Sequence, residues 1–291
     1  MKLVKEVLFV KDATYCDGHY RSFYYMIPTN VDKITYDGVV FFFHGHGSNG
    51  LTIRRNMDED GSRSWKYKLL FVFPNGLGAS WNSGHGFGYS DWNSDGWYGF
   101  SYEHNIDDVY AVHMILTHLK SKYAIGEKLC FVGCSNGACF SYRLAAEIEK
   151  RFGDIVTAFA PFAGTIGGYA KDGVDLVLNI PAGVHHASVF AVHGLLDGTI
   201  KYNDFNRIDR LRADYPFPES TGIWIDYIGN SGRSPYALVE NDEYIENRYQ
   251  GITHIGEAGI PEVVARVYKN EGHVLPYRKF IDDVLGFFAS R

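Results

Sequence analysis

The chain has no long uninterrupted run of apolar residues, although 46% of its 291 residues are hydrophobic. No segment approaches the ~18 consecutive apolar residues that a membrane-spanning helix needs, so we expect no membrane span. Positive charge is in the minority, with 28 lysine and arginine residues against 34 aspartate and glutamate residues and a formal net charge of −6, and lysine and arginine form no cluster that could bind a phosphate backbone. The composition therefore argues against a membrane protein and against a nucleic-acid partner.

Cysteine is rare as well, with four residues in the chain: Cys16, Cys130, Cys134 and Cys139. Three of them lie in segments that we expect to be buried, where a free cysteine behaves as a small hydrophobic side chain. The first ten residues alternate charged and apolar side chains and contain no continuous apolar stretch typical of an export signal. We therefore expect reduced thiols and a cytoplasmic protein, with secretion by a route that the sequence does not reveal as the alternative.

Six apolar runs of strand length are the main structural signal. Each is continuous rather than alternating, as in strands buried on both faces of a parallel sheet, and each is followed within a few residues by glycine. They span residues 39–43, 69–73, 129–132, 156–159, 188–192 and 263–268. Open parallel sheets bind ligands outside the carboxyl ends of their strands, so we expect the functional site at the edge where these loops gather.

Other patterns complete the expected architecture. Residues 4–10 and 20–27 predict an antiparallel hairpin, which brings the sheet to eight strands. Apolar residues over 106–119 recur at helical spacing, with Asn105 or Asp107 as the N-cap. We therefore expect an α/β fold whose sheet is mostly parallel and carries helices on both faces.

Domain organisation follows from length and from two irregular regions. The chain is long enough for one large core, and no linker divides it, so we expect a single domain over residues 1–291. Residues 76–102 and 203–260 carry many glycine, asparagine or proline residues and break the rhythm of strands and helices. We interpret both as loops that form the rim of a substrate pocket.

A serine occupies the centre of the pentapeptide Gly133-Cys134-Ser135-Asn136-Gly137. The preceding run predicts a strand and the following one a helix, so the segment reads as a nucleophile elbow, in which flanking glycines let the sharp turn close. The N–H of Asn136 is then placed to donate to an oxyanion. The alternative is a serine that only caps the helix.

Two later apolar runs end in loops that offer an acid, Asp197, and a base, His273. A serine hydroxyl becomes a nucleophile when a histidine removes its proton and a carboxylate orients that histidine. The chain order Ser135, Asp197, His273 is the order found in the α/β-hydrolase fold. The alternatives are an ordinary turn aspartate followed by Gly198 and a loop histidine without a chemical role.

The loop His44-Gly45-His46-Gly47 follows the first of the six apolar runs. We expect the N–H of His46 to supply the second oxyanion donor beside that of Asn136. A competing interpretation makes His44 and His46 metal ligands together with His85. No carboxylate or cysteine at metal-ligand spacing completes that set, so we expect no metal.

Three tryptophans, Trp81, Trp92 and Trp97, lie in the first irregular region. Aromatic walls suit apolar or sugar-like substrates, so these residues are candidates for substrate binding. Tryptophan also anchors long loops to a core, and the sequence alone does not separate the two roles.

Several segments together resemble a known enzyme group. They are Phe43-His44-Gly45, Phe73-Pro74-Asn75-Gly76, Ser80-Trp81-Asn82, Ile106-Asp107-Asp108-Val109, Phe131 to Ala145, Ala160 to Thr165, His193-Gly194 with Asp197, and Gly272-His273. In this order, from about Val39 to Pro276, they resemble the polyhydroxybutyrate depolymerase and feruloyl/acetylxylan esterase group, carbohydrate esterase family one. The resemblance implies a serine esterase of α/β-hydrolase fold with Ser135, Asp197 and His273 as triad and His46 as oxyanion donor.

The leading hypothesis is hydrolysis of a carboxylic ester through an acyl-enzyme, without a metal or organic cofactor. Feruloyl or acetyl esters of plant polysaccharides or their breakdown products are the expected substrates, with 3-hydroxybutyrate oligomers as the alternative. Acyl transfer or peptide hydrolysis would use the same residues. From a different class, the chain could be a non-catalytic, carbohydrate-binding relative of such hydrolases.

Overall fold

The computed structural model of the protein describes residues 1–11, 18–29, 34–83, 101, 106–170, 176–178, 186–207, 212–251 and 259–291. The sequence expectations for Cys16, His85, Trp92, Trp97 and Asn105 lie outside these residues.

Fourteen strands are found in the described part of the chain. In chain order they are β1 Lys2–Val10, β2 His19–Ile27, β3 Thr35–Phe43, β4 Leu69–Pro74, β5 Ala124–Cys134, β6 Ala158–Phe162, β7 Gly167–Ala170, β8 Leu176–Leu178, β9 Ser188–Gly194, β10 Asn206–Arg207, β11 Arg212–Asp214, β12 Ala237–Glu240, β13 Tyr244–Gln250 and β14 Glu262–Tyr268. Four short ones, in the order β10-β11-β7-β8, make a small sheet, and the other ten make the main sheet.

The main sheet has the strand order β1-β2-β4-β3-β5-β6-β9-β14-β13-β12. Its six central strands, β4 through β14 in that order, are parallel to one another and correspond to the six apolar runs of the sequence. The expected N-terminal hairpin is also present, since β1 and β2 pair antiparallel along their whole length. The α/β architecture predicted from the sequence is confirmed.

The expectation of eight strands and of an irregular segment over 203–260 needs correction. Strands β12 and β13 lie in that segment and pair antiparallel beside β14, which extends the main sheet to ten strands. A helix also lies there, at Phe217–Tyr227. The two strands were missed because they are exposed or half-buried and form no long continuous apolar run, and only Glu246 among their residues is buried.

Six α-helices cover the sheet within the described residues. They are α1 Gly50–Met57, α2 Ser62–Tyr67, α3 Asp108–Lys122, α4 Asn136–Phe152, α5 Phe217–Tyr227 and α6 Tyr277–Ala289, and a 3-10 turn spans Leu77–Ala79. The predicted N-cap Asp107 starts α3, because its side chain accepts the N–H of Tyr110. None of the helices described is long and apolar enough to cross a membrane.

Alternate residues of the central strands point into two separate hydrophobic cores. Phe41 and Phe131 pack in one core with helices α3, α4 and α5, whereas Phe42 and Val132 pack in the other with α1 and α6. A strand that is buried on both faces cannot show an apolar–polar alternation, which explains the continuous runs in the sequence. The two cores pack against opposite faces of the sheet. They thereby fix the position of the edge at which the parallel strands have their carboxyl ends.

The connections from strand β3 reverse direction across the sheet. The chain passes from β3 to β4 on one side, and then returns to β5 on the other side. In open α/β sheets, ligands bind in the crevice at such a switch point. The loop after β3 and the turn after β5 meet at this point, and both carry residues that the sequence identified as functional.

Candidate active site

Ser135 lies at the turn between β5 and α4. Its backbone has a φ of +52° and a ψ of −119°, a combination that a residue with a side chain rarely adopts. The N–H of Ser135 donates to the carbonyl of Phe162 at 2.8 Å, and its own carbonyl accepts the N–H of Ala138 at 2.8 Å. Hydrogen bonds on both sides of the residue therefore hold the strained turn.

Two glycines of the elbow are required by close backbone contacts. A Cβ atom on Gly133 would lie 2.1 Å from the carbonyl oxygen of Gly137, and a Cβ atom on Gly137 would lie 2.3 Å from that of Phe43. Atoms at such distances overlap, so neither position accepts a side chain without movement of the backbone. The glycine pattern seen in the sequence results from tight packing between β3, the turn and α4.

Ser135, His273 and Asp197 form a continuous chain of hydrogen bonds. His273 Nε2 lies 2.9 Å from Ser135 Oγ, and His273 Nδ1 lies 2.8 Å from Asp197 Oδ2. Because an ionised carboxylate only accepts hydrogen bonds, Nδ1 carries the proton and Nε2 presents its lone pair to the serine hydroxyl. The structure thus brings together the three side chains that the sequence suggested as nucleophile, acid and base.

Asp197 is buried, and its two oxygens have separate partners. Oδ2 faces His273, whereas Oδ1 accepts the backbone N–H groups of Thr199 at 2.8 Å and Ile200 at 2.9 Å. Burial alone would raise the pKa of Asp197, but the hydrogen bond with His273, together with the N–H of Ile200, outweighs it and lowers the pKa. The carboxyl group is therefore ionised at neutral pH and orients His273.

Asn136 is held by a reciprocal pair of hydrogen bonds with Trp81. Its Oδ1 accepts the N–H of Trp81 at 2.7 Å, and its Nδ2 donates to the carbonyl of Trp81 at 3.0 Å. The side chain of Asn136 thereby ties the first turn of α4 to the segment after β4. This anchoring fixes the peptide that follows Ser135, whose N–H is the expected oxyanion donor.

The loop that carries His46 passes directly beside the elbow. A Cβ atom on Gly45 would lie 3.3 Å from the Cβ of Ser135, and His46 borders the same cleft as Ser135 and His273. Burial lowers the pKa of His46, so its imidazole is neutral near pH 7. The loop is thus close enough to supply the second N–H that the sequence placed at His46.

The imidazole of His44 hydrogen-bonds to backbone groups of two loops. Its Nε2 accepts the N–H of Gly76 at 3.0 Å, and its Nδ1 donates to the carbonyl of Gly45 at 2.8 Å. Burial lowers the pKa of His44 to about 4, so the ring stays neutral. Both ring nitrogens are engaged by the backbone, and this argues against the interpretation of His44 and His46 as metal ligands.

Trp81 lies in the core, with 2% of its surface exposed. Its ring contacts those of Phe43 and Phe140, and its indole N–H donates to the carbonyl of His44 at 3.0 Å. The suggestion that Trp81 binds substrate does not fit this burial. The residue instead links the loop after β3 to the elbow, which is the anchoring role that the sequence left open.

Ser135 and His273 open onto a cleft of about 320 Å³. Its walls come from the loop after β3, from α1 and from the segment after β14, and they include Ser48, Thr52, Ile53, Asn56, Val274 and Tyr277. Both polar and apolar side chains are therefore available to a substrate. Sequence reasoning did not identify these wall residues, because their role depends on how α1 and α6 pack beside the elbow.

Three cysteines in β5 and α4 have free thiols and are buried: Cys130, Cys134 and Cys139. Burial raises the pKa of the Cys130 and Cys134 thiols to about 12, which keeps them protonated and unreactive at neutral pH. Cys134 hydrogen-bonds with Tyr277, and Cys139 Sγ accepts the N–H of Thr165 at 3.4 Å. The expectation of reduced, structural thiols agrees with these three residues.

Solved structures with similar folds are esterases and related hydrolases. An acetyl xylan esterase from Aspergillus awamori superposes with a TM-score of 0.59 at 13% identity, over 97% of this chain and 99% of that one. A CE1 ferulic acid esterase from Anaeromyces mucronatus gives 0.53 at 14% identity, over 99% and 92%. An S-formylglutathione hydrolase from Staphylococcus aureus gives 0.53 at 11% identity, over 99% and 97%. These likenesses confirm the α/β-hydrolase fold.

Comparisons at the level of sequence add nothing to this likeness. No protein-family model matches the chain, and no curated protein matches it either. At identities of 11–14%, the structural neighbours share the fold with this chain.

Proposed function

We propose that the protein is a serine hydrolase of carboxylic esters that works through an acyl-enzyme. The observation that carries the proposal is the hydrogen-bonded chain from Asp197 through His273 to Ser135, with the serine at a strained apex beside a cleft. The esterases and the hydrolase among the structural neighbours support it. A helix-capping serine would need neither the base nor the buried acid.

The reaction begins when Ser135 Oγ attacks the ester carbonyl while His273 Nε2 takes the serine proton. Asp197 stabilises the imidazolium that forms, because its ionised carboxylate faces Nδ1. The N–H groups of Asn136 and His46 donate to the oxygen that becomes negative. His273 then passes the proton to the departing alcohol, which leaves an acyl group on Ser135.

Water completes the cycle by the same steps in reverse. His273 removes a proton from the water molecule as it attacks the acyl carbon, and returns that proton to Ser135 Oγ as the acid departs. This chemistry uses the residues of the chain alone and calls for no metal or organic cofactor. An alcohol in place of water would give acyl transfer instead.

For the substrate we favour feruloyl or acetyl esters of plant polysaccharides or of their breakdown products. The resemblance to carbohydrate esterase family one and the acetyl xylan and ferulic acid esterases among the structural neighbours support this choice. Oligomers of 3-hydroxybutyrate are the alternative acyl substrate. A carbohydrate-binding protein without activity is the alternative from another class, and ligand binding without turnover would support it.

The test compares the wild-type protein with Ser135→Ala on short p-nitrophenyl esters, methyl ferulate and an S-formyl thioester. We expect the variant to lose on the order of 10³-fold or more in kcat/KM. The control is Ser121→Ala, an exposed serine at the end of α3 whose hydroxyl donates to the carbonyl of His118 at 2.7 Å. Equal turnover by the wild type and the Ser135 variant would overturn the proposal.

A further inference from the structure

His193 lies directly behind the candidate acid and takes no part in the reaction steps proposed above. It is the next-to-last residue of strand β9, and none of its side chain is exposed. Its Nε2 atom lies 2.8 Å from the carbonyl oxygen of Ile200 and 3.5 Å from Asp197 Oδ2. The carboxylate oxygen that faces His273 is therefore flanked by two imidazole rings.

The neighbours of Nε2 determine the tautomer of His193. Both of the groups that Nε2 faces are acceptors, so Nε2 carries the proton and Nδ1 keeps a lone pair. Among the described residues, this buried Nδ1 has no hydrogen-bond partner. A buried polar atom without a partner is destabilising, and a phenyl ring at this position would avoid that cost. The Nε2–H donor is therefore the feature that distinguishes an imidazole here.

The charge of His193 also matters for Asp197. Burial lowers the pKa of His193 and outweighs the opposing effects of the Asp197 charge and the Ile200 carbonyl, so the ring is neutral. A charged ring at this place would compete with His273 for the negative charge of Asp197. A neutral ring offers a donor without that competition.

The ring of His193 also closes a short turn. Ile200 accepts a hydrogen bond from His193 at its carbonyl and donates its N–H to Asp197 Oδ1. The turn that holds Asp197 is thus attached to the end of β9 through the imidazole. Behind the ring, Phe217 of α5 packs with a centroid distance of 4.8 Å and limits its rotation.

We propose that His193 is a positioning residue, whose Nε2–H holds the turn from Asp197 to Ile200 against strand β9 and directs Asp197 Oδ2 toward His273. This inference rests on the proposed ester hydrolysis, in which Asp197 orients the base. Loss of the donor would let the carboxylate turn away from His273 Nδ1 and would slow the proton transfer. Substrate binding would change little, because His193 is not exposed to the cleft.

Two amide variants of similar chemistry test the proposal. In His193→Gln the amide nitrogen reaches the position of Nε2, whereas in His193→Asn it reaches only the position of Nδ1. We expect the glutamine variant to keep kcat within about 3-fold of wild type and the asparagine variant to lose about 10-fold to 100-fold with KM unchanged. His193→Phe, which preserves the ring without a donor, should behave like the asparagine variant.

Two further measurements distinguish a positioning role of His193 from a role in the stability of the fold. The kcat values are divided by the concentration of serine that reacts with an organophosphorus reagent, so unfolded protein is excluded from the comparison. Proton NMR follows the His273 Nδ1–H resonance, which we expect in the wild type and the glutamine variant and expect shifted or absent in the asparagine variant. Equal kcat per reactive serine and an equal resonance in both amide variants would overturn the proposal.

The design also distinguishes failure of the positioning role from failure of the proposed reaction. A wild-type protein that neither turns over esters nor reacts with the reagent would refute the reaction. The resonance would still decide whether His193 controls the contact between Asp197 and His273. Active wild type with fully active His193→Phe would refute the positioning role alone.

Discussion

The central strands of the sheet and the strand pairs at its edges differ in what covers them. In β3, β4, β5, β6, β9 and β14, most side chains are buried between two layers of helices. In the edge strands β1, β12 and β13, exposed and half-buried side chains dominate. Covered strands hold few polar residues in their buried stretches, Arg266 of β14 being one, whereas the edge strands β1 and β13 carry polar groups along their length.

This difference explains where the candidate site lies and what the edges do instead. Ser135, Asp197 and His273 each follow a covered strand, at the point where the chain leaves the two cores. Near the edge formed by β12 and β13, polar groups make ion pairs: Glu246 of β13 accepts hydrogen bonds from Arg248 of the same strand and from Arg266 of the neighbouring strand β14, each at 2.7 Å. The central strands position the candidate catalytic residues, and the ion pairs near the edge contribute to the stability of the fold.

Asp197→Asn tests the centre and should have the largest effect. An asparagine can still accept from Thr199 and Ile200 through its oxygen, but its amide then donates toward His273 Nδ1 and forces the proton onto Nε2. A base in that tautomer cannot accept the proton of Ser135. We expect a loss of about 10⁴-fold in kcat/KM for ester hydrolysis with little change in Tm.

The matched control for that variant is Asp204→Asn, an exposed aspartate paired with Lys201 at 3.0 Å. It lies further along the same loop, and we expect its activity to match that of the wild type. If Asp197→Asn retained most of its activity while the Ser135 variant had none, Asp197 would not be the orienting acid.

Glu246→Gln tests the edge. Among the described residues, the buried guanidinium of Arg266 pairs with two carboxylates, and the change removes one of them and leaves Asp283 at 2.7 Å. We expect the free energy of unfolding to fall by about 3 kcal/mol, because an incompletely paired buried charge is strongly destabilising. Denaturant unfolding measures this loss, and kcat per reactive serine should stay unchanged.

Glu240→Gln is the control for the edge, because the pair of Glu240 with Lys269 is more exposed. We expect this variant to lose less than about 1 kcal/mol of stability. A loss of kcat in Glu246→Gln, measured on folded protein, would contradict the separation of chemistry from stability.

Acid should lower the free energy of unfolding through His44, and this effect should be smaller than that of Glu246→Gln. The unfolded imidazole binds a proton below about pH 6.5, whereas burial lowers the pKa of His44 in the fold to about 4. Between these values the unfolded state binds more protons, so stability falls as pH falls. We expect a loss of about 2 kcal/mol by pH 5 that is attributable to this residue.

His44→Gln isolates that contribution, because its amide oxygen can accept the N–H of Gly76 and its amide does not titrate in this range. The difference in unfolding free energy between wild type and variant is measured from pH 7 to pH 4. A difference that stayed constant across this range would show that His44 does not titrate as its burial requires.

Much of the centre was predictable from the sequence. Continuous apolar runs identified all six parallel strands, and the glycines around Ser135 identified the elbow whose close contacts exclude a Cβ. These signals are local, because a covered strand and a tight turn restrict which residues can stand at each position. The edge was less predictable, since β12 and β13 are half exposed and accept polar residues.

Other features depended on distant segments. Trp81 was a candidate for substrate contact and lies in the core, because Asn136 and the carbonyl of His44 hold it there. His193 was noted only as part of a motif, and its contact with Asp197 Oδ2 appears when the loop after β9 turns back on the strand. Spacing along the chain does not encode such contacts.

By itself, the sequence determined the run of covered strands, the strained turn at Ser135 and the order of nucleophile, acid and base. The covered strands and the turn follow from local requirements, burial on both faces and close backbone contacts, that residues adjacent in the chain satisfy together. The tertiary structure alone decided that β4 and β5 flank β3, that two half-exposed strands extend the sheet, and that His193 lies behind Asp197. Those outcomes depend on packing between segments far apart in the chain, where many residue types satisfy the same contact.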